Sequence, residues 1–131
     1  MPSIFTHIVN GEIPCYKIAE NKRYFAFLDI NPLAKGHTLV IPKQETDYLF
    51  DLEDDQLAGL IVFAKKLAVG IRKSIDCKRI GLAVVGLEVA HAHIHLVPLN
   101  DLYDIDFRKP KIKLSPDEFE AIAEQIRINL E

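Results

Sequence analysis

The sequence predicts an α+β fold with a mainly antiparallel sheet of about five strands, one long central helix and a C-terminal helix. Three observations lead to this prediction. Short apolar segments bounded by turn residues occur in two groups along the chain. A longer segment between the groups has apolar residues at three- and four-residue steps. A strong helix start follows the second group, and strands followed by helices in this order are typical of α+β proteins.

The short apolar segments come first in the order of elements. Residues 5–9 form an apolar cluster that predicts one or two turns of helix, which residues 11–14 then break. Turn residues separate the five segments that follow and favour strands. The predicted strands span residues 16–19, 24–28, 37–41, 80–85 and 91–99. Pro42 is expected to stop the third of them, because proline cannot donate to a strand ladder.

The two later helices carry the clearest signals. Residues 51–74 combine a helical apolar repeat with acidic residues at the start and basic residues towards the end, as the helix dipole favours. The last helix is predicted over residues 115–129. Ser115 can cap it, Pro116 suits its first turn, and Glu118 completes a capping box.

Size and composition indicate a single domain over residues 1–131, and the targeting and cysteine signals below lead us to expect a cytoplasmic protein. The chain is 49% hydrophobic and 27% charged, which is ordinary for a soluble globular protein. Its 16 basic and 19 acidic residues leave a net charge of −3, so there is no electrostatic reason to expect a nucleic-acid partner. No signal peptide or apolar stretch near the roughly 20 residues of a membrane span is present. Cys15 and Cys77 form no motif and are expected to be reduced thiols.

Three of the five histidines lie at positions 91, 93 and 95 and alternate with apolar residues. On a strand, His91, His93 and His95 would share one face over about 13 Å, while Ala92 and Ile94 enter the core. Imidazole can move protons and act as a nucleophile near neutral pH. The alternation therefore predicts a catalytic row rather than a chance cluster.

Zinc binding is the main alternative for these histidines. Two histidines at i and i+2 can hold one ion, and His37 could supply a third ligand. A row about 13 Å long cannot place all three imidazoles within about 2.1 Å of one ion, so one histidine would be left over.

Residues 91–97 read His-Ala-His-Ile-His-Leu-Val, which resembles the signature of the histidine triad (HIT) superfamily, His-φ-His-φ-His-φ-φ with φ apolar. Three further segments are similar to the family in the same order: residues 3–14, 25–32 and 36–43. The motif region covers about residues 3–99, and the C-terminal extension carries the last helix. The resemblance implies a single-domain HIT-like fold, and within the superfamily it is to the purine nucleoside phosphoramidate hydrolases.

The implied activity is that of a nucleotide phosphoramidate or nucleotidyl hydrolase or transferase acting at the α-phosphate. By the resemblance, His93 attacks phosphorus and forms a nucleotidyl-histidine intermediate, from which water releases the nucleoside monophosphate. His91 would orient His93, and His95 would contact phosphate oxygens. His37 would be the fourth histidine, beside His91 behind the nucleophile.

The resemblance also implies how the nucleotide is held. Asp29 would accept hydrogen bonds from the ribose hydroxyls. The base, a purine by the resemblance, would be held in an apolar slot that is expected to be buried in any fold. The slot residues are Ile4, Phe5, Ile8, Phe27 and Ile30. Relatives of this kind are homodimers, and no cofactor is implied. No metal is expected, because Ser3 and Thr6 stand where some bacterial relatives carry zinc-binding cysteines.

The segment before the triad departs from the family pattern. Many relatives have Gly-Gln-Ser or Gly-Gln-Thr there, whereas this chain has Gly86, Leu87 and Glu88. A carboxylate near phosphate is repulsive unless it is protonated or turned away. Glu88 could serve as a general acid, receive a cationic leaving amine, or simply face solvent. A nucleotide-binding module with little turnover and a zinc hydrolase therefore stay open as alternative functions.

Overall fold

The computed structural model describes residues 2–130, which form a five-stranded sheet with helices on both faces. The helices span Ile4–Val9 (α1), Asp54–Ser74 (α2) and Pro116–Asn129 (α3). The strands span Lys17–Glu20 (β1), Tyr24–Leu28 (β2), Thr38–Pro42 (β3), Arg79–Ala83 (β4) and Ile94–Leu99 (β5). Their order is β1-β2-β3-β5-β4, and each neighbouring pair is antiparallel. The predicted α+β class is confirmed.

Several predicted boundaries are wrong by one to three residues. The long helix begins at Asp54, because a separate 3₁₀ turn, Leu49–Asp51, precedes it. The third strand includes Pro42 at its end, since proline fits a strand terminus where no ladder N–H is needed. The fourth strand ends at Ala83 and not at residue 85.

The prediction that residues 91–99 form one strand is wrong in its first part, because β5 begins at Ile94. The backbone groups before it bond elsewhere. The His91 N–H donates to the Val89 carbonyl over 2.8 Å, and the Ala92 N–H donates to the Thr46 carbonyl over 2.6 Å. Two of the three histidines therefore lie on the loop that enters β5.

The main core lies between the sheet and the helices α2 and α3. The alternating side chains of the central strands enter it. Ile94 and Ala92, which lies just before β5, are both in this core as predicted. From α2 and α3, the buried side chains Leu60, Leu67 and Phe119 pack against the sheet. The α3 helix also begins with the predicted capping box.

A second apolar cluster lies on the opposite face of the sheet, beneath α1. It consists of the buried residues Phe5, Phe25, Phe27, Leu39 and Ile41. Because Leu39 is directly opposite His95 in the β3–β5 pair, the His95 side chain shares this face. The histidines therefore lie on the α1 face, with the long helix behind them.

Among residues 2–130, no helix has the length and apolar character that crossing a bilayer requires.

Candidate active site

A cavity of about 400 Å³ opens on the α1 face of the sheet. This volume lies in the range of small-ligand sites. Its apolar wall comes from α1 and β2, together with the loops that follow them. Its acidic, basic and imidazole side chains come from four separate parts of the chain, and they are Asp29, His37, Glu88, His93, His95 and Lys111. Apolar walls with a few convergent polar groups are typical of a binding site.

His93 is held in one orientation on the wall of this cavity. Its Nδ1 lies 2.7 Å from the His91 carbonyl oxygen, and its ring meets the edge of Phe5 with 5.1 Å between ring centroids. A carbonyl oxygen only accepts, so Nδ1 carries a proton and donates it. In the neutral ring, Nε2 then holds the free lone pair.

His91 lies behind the cavity, and both of its ring nitrogens are bonded. Nε2 lies 2.8 Å from the Pro42 carbonyl oxygen and therefore donates to it. Nδ1 then accepts from the Ser3 hydroxyl over 2.7 Å. Burial lowers the pKa of His91, although the bond to Pro42 and the charge of Glu45 act in the opposite direction.

His37 and His95 form a hydrogen-bonded pair in which His37 donates and His95 accepts. The Leu33 N–H donates to His37 Nδ1 over 3.0 Å, so the His37 proton is on Nε2. That Nε2 lies 3.0 Å from His95 Nδ1 and donates to it. His95 therefore carries its own proton on Nε2. The pair presents an N–H donor to the cavity without needing a positive charge.

Both rings of this pair are neutral at pH 7. Burial, reinforced by the neighbouring His95 and by Lys111, lowers the pKa of His37 to about 3. Burial, reinforced by the neighbouring His93 and by Lys111, lowers the pKa of His95 to about 4. A proton added to His95 Nδ1 would also point at the His37 N–H, and this repulsion agrees with the lowered pKa values of both rings.

Asp29 follows β2 and faces the same cavity. Its Oδ1 accepts the Asn31 N–H over 2.9 Å, and its Oδ2 lies 3.5 Å from His37 Nε2. Burial raises the pKa of Asp29, although the Asn31 N–H and the neighbouring His93 and Lys111 oppose the change. Because His37 is neutral, the contact between them is not an ion pair. The carboxylate therefore keeps acceptor capacity for a ligand.

Asp29, His37 and His95 each offer a ligand atom, and these atoms lie within 4.8 Å of one another, as a metal site would require. The hydrogen bonds do not fit this use. A metal on His37 Nε2 would force the ring proton onto Nδ1, where it would point at the Leu33 N–H. The group also contains only one of the three triad histidines. This donor arrangement disfavours the zinc alternative.

The family model of the HIT domain matches residues 10–102 of the chain. The chain belongs to the HIT family. This HIT protein is 36% identical over 128 residues to adenosine 5′-monophosphoramidase hnt1 of Schizosaccharomyces pombe, with 96% of each chain covered. It is 38% identical over 99 residues to adenosine 5′-monophosphoramidase HNT1 of Saccharomyces cerevisiae, covering 75% of this chain and 63% of that one.

A solved structure is similar over nearly the whole fold. A Hit-like protein from Bartonella henselae, described as involved in cell-cycle regulation and crystallised with an unknown ligand, superposes on this HIT protein with a TM-score of 0.84. The two are 29% identical, and the match covers 97% of this chain and 95% of that chain. The resemblance inferred from the sequence motifs is therefore confirmed for both family and fold.

The fold of this HIT protein brings every predicted site residue except His91 to the wall of one cavity. These residues are His93, His95, His37, Asp29, Ile4, Phe5, Ile8, Phe27, Ile30 and Glu88. His91 contacts His93 through its carbonyl oxygen rather than its ring. The geometry thus assembles the predicted set, while the roles of its members remain predictions.

The predicted place of His37 is wrong. It was expected beside His91, but it lies beside His95, with the two ring centroids 5.2 Å apart. The register of β3 against β5 explains the difference. Leu39 is opposite His95, so His37, two residues earlier on the same face, is diagonal to His95. His91 lies beyond the other end of this pairing.

The expected burial of the whole apolar slot is also wrong. Phe5 and Phe27 are buried, but Ile4 is 50% exposed and Ile30 is 64% exposed. Both isoleucines lie at the wall of the cavity, so their exposed apolar surface is available to a ligand. Burial in the folded chain therefore does not account for these two residues.

The segment before the triad stays close to solvent. Leu87 is 87% exposed, and Glu88 is exposed where it borders the cavity. Among the described residues, Glu88 has no ion-pair partner. His7 is partly exposed and lies 3.3 Å from Glu12, as expected for a surface residue.

Two cavity residues come from the C-terminal extension, beyond the segments that resemble the family. Phe107 packs edge-on against His95, with 4.6 Å between ring centroids. The Lys111 ammonium donates to the carbonyl oxygens of Phe107, over 2.7 Å, and Lys109. The Ile112 N–H donates to the Pro32 carbonyl over 3.0 Å. We call residues 106–112 the C-terminal strap; no periodic pattern in the sequence points to its position.

Proposed function

We propose that this protein hydrolyses or transfers nucleotides at the α-phosphate through His93, by way of a nucleotidyl-histidine intermediate, with purine nucleoside phosphoramidates as substrates. The single observation that carries the proposal is the bond from His93 Nδ1 to the His91 carbonyl oxygen. It leaves the Nε2 lone pair as the reactive atom of a histidine at the cavity wall.

The reaction would proceed in two displacements. In the first, the His93 Nε2 lone pair forms a bond to the α-phosphorus while the bond from phosphorus to the leaving nitrogen or oxygen breaks. The leaving group takes a proton from solvent as it departs, and the water that attacks in the second step returns one to solvent. In the second, water attacks the same phosphorus, the phosphorus–Nε2 bond breaks, and nucleoside monophosphate and free His93 result. Covalent catalysis of this kind divides one difficult displacement into two easier ones.

His95 would stabilise the charge that develops on the phosphate oxygens. Because His37 donates to its Nδ1, the His95 proton is on Nε2 and is available to a phosphate oxygen. The ring is held by His37 and Phe107, so little reorganisation is needed when the charge forms. His37 then acts through His95 rather than through the nucleophile.

The nucleoside would lie between α1 and the loop after β2. Asp29 has acceptor capacity for the ribose hydroxyls. Ile4 and Ile30 offer exposed apolar surface to a purine, and Phe5 and Phe27 form the floor beneath them. The two yeast relatives, whose names state activity on adenosine 5′-monophosphoramidate, support the purine choice.

Turnover of adenosine 5′-phosphoramidate, measured with and without a chelator, tests this function. We expect chelator-resistant release of adenosine monophosphate that is lost in His93→Ala and retained in the control His7→Ala. Tight nucleotide binding without turnover in the wild-type protein would instead identify a binding module. Loss of activity on chelation would favour the zinc hydrolase and would contradict the proposed role of His93.

We further propose that the protein is a homodimer that pairs through β4 and α2. The β4 strand lies at the edge of the sheet, so one side of its backbone has no neighbouring strand among residues 2–130. Exposed apolar residues accompany it, with Leu82 49% exposed on β4 and Val62 57% exposed on α2. Sedimentation at micromolar concentration should give twice the chain mass. A monomer that remains fully active would contradict this assembly.

A further inference from the structure

A chain of hydrogen bonds links an exposed carboxylate to the carbonyl that holds the proposed nucleophile. It starts at Glu45 on the loop after β3, passes through Ser3 and Thr6 at the start of α1, and ends at His91. Neither Glu45 nor His91 lines the cavity. The arrangement therefore lies outside the site that would contact substrate.

Glu45 anchors the start of α1 at two points. One of its oxygens accepts the Ser3 backbone N–H over 2.6 Å and the Thr6 hydroxyl over 2.6 Å. These two bonds lower the pKa of Glu45 to about 2, so the carboxylate is ionised at neutral pH. Six residues are too few for a helix to be stable alone, so α1 depends on such anchors.

Ser3 transmits this anchor to His91. Its hydroxyl oxygen accepts the Thr6 N–H over 3.1 Å, which caps α1, and its proton is donated to His91 Nδ1 over 2.7 Å. The opposite ring nitrogen, Nε2, donates to Pro42 at the end of β3. The imidazole is thus held from both sides, by α1 and by the sheet.

The backbone of His91 in turn sets the orientation of His93. The His91 carbonyl oxygen receives the His93 Nδ1 proton over 2.7 Å. Any rotation of the His91 residue would move this acceptor and redirect His93 Nε2. Displacements of about 1 Å in a reacting group can cost about a hundredfold in rate.

We propose that Glu45 and Ser3 are positioning residues, which fix the His91 ring through hydrogen bonds and thereby aim His93 at the phosphorus. We call Ser3, Thr6, Glu45 and Pro42 the His91 clamp. This inference rests on the proposed function of His93. Its structural part, which is the charge and the tautomer of the His91 ring, can be measured without substrate.

Steady-state kinetics with adenosine 5′-phosphoramidate test the clamp. We expect Ser3→Ala and Glu45→Ala each to lower kcat about tenfold, with KM changed less than about twofold, since a misaimed nucleophile slows the chemical step. The double variant should lose little more than either single one, because both break the same chain of bonds. Glu45→Gln keeps an acceptor oxygen and should retain most of the activity.

The matched control is Glu53→Ala, which removes an exposed carboxylate that makes no side-chain cap bond at the start of α2. It should keep wild-type kcat and KM. A loss confined to KM in the clamp variants would overturn the proposal, because α1 would then merely hold the base slot. Equal losses in Glu45→Gln and Glu45→Ala would also overturn it.

Imidazole ¹⁵N resonances of the substrate-free protein separate this inference from the proposed function. The wild-type spectrum should show His91 neutral with its proton on Nε2, and Ser3→Ala should shift the resonances of both His91 and His93. Unchanged His93 resonances would contradict the clamp even if the enzyme is active. A wild-type protein without turnover would contradict the proposed function, while the spectra would still decide whether the clamp exists.

Discussion

At the scale of single residues, the histidines differ because each has a different second contact. His93 donates to a carbonyl oxygen, His91 is bonded at both nitrogens, and His95 accepts from His37. A carbonyl acceptor or an N–H donor decides where the imidazole proton lies. In the proposed mechanism, the same side chain therefore serves as a nucleophile, a support or a neutral donor within one site.

Asp29 allows a test of nucleoside recognition. Replacing it with asparagine removes the charged acceptor, and a hydrogen bond to a charged group contributes about 1.5–3 kcal/mol. We expect Asp29→Asn to raise KM for adenosine 5′-phosphoramidate at least about tenfold and to leave KM for the 2′,3′-dideoxy substrate within about twofold. Asp47→Asn, at an exposed aspartate, is the control. Equal effects on both substrates would rule out ribose contact by Asp29.

At the scale of elements, the parts that close the cavity are short and depend on contacts with the rest of the chain. The α1 helix has six residues, and the C-terminal strap has no regular structure. The strap is held by the bond from Ile112 to Pro32 and by the Lys111 ammonium. Together they cover His93 and His95 from two sides.

The strap should control the titration of the histidine beneath it. Phe107→Ala would let water reach His95, so the pKa of His95 should rise from about 4 toward its ordinary value. The pKa of His37 should rise in the same direction. An NMR pH titration measures both, and Tyr103→Ala, at a 73% exposed aromatic residue, is the control. No change in Phe107→Ala would mean that the aromatic ring does not exclude water.

The close packing of α2 on the sheet gives a stability prediction. A methyl group at Gly59 would overlap the hydroxyl of Tyr24, which donates to the Gln56 carbonyl over 2.9 Å. Alanine favours a helix by about 1 kcal/mol, but overpacking costs about 1–3 kcal/mol. We therefore expect Gly59→Ala to lower the free energy of unfolding by about 1 kcal/mol in urea titrations. The loss should shrink in a Tyr24→Phe background; a stabilised Gly59→Ala would show that Tyr24 moves freely.

At the scale of the whole molecule, the sheet is buried on both faces. One face forms the main core with α2 and α3, and the other carries the second cluster and the histidines. Burying neutral histidines links the stability of the fold to pH. That the entire chain is one domain stays a prediction, although α3 packs on both α2 and β1, which supports it.

Stability should fall as the solution becomes acidic. The pKa values of His37 and His95 in the folded protein, about 3 and about 4, lie below the ordinary value of 6.5. Between these pH values the unfolded chain therefore binds more protons than the folded protein does. Each buried ring should therefore lower the free energy of unfolding by about 2 kcal/mol when the pH falls from 7.5 to 5. Urea titrations at both pH values measure the loss, and His37→Gln should reduce it by about half. An unchanged loss in His37→Gln would contradict the buried neutral state.

Much of the fold and the family were predictable from local patterns. The apolar repeat of α2, the capping box at Ser115 and the alternation around His93 each depend on neighbours within a few residues. The start of β5 was not predictable, because it depends on the bond from Ala92 to the distant Thr46. Propensity alone does not record which backbone groups find distant partners.

The order of residues therefore determined the strands, the helices and the identity of the triad, since these follow from spacing and side-chain chemistry. Only the tertiary structure decided which histidine meets which. The register of β3 against β5 placed His37 beside His95, and chain folding brought Phe107 to His95 and Ser3 to His91. His37 and His95 are 58 positions apart, and Ser3 and His91 are 88 positions apart. Phe107 lies in the C-terminal strap, which has no periodic pattern. Their geometry depends on the packing of the whole sheet.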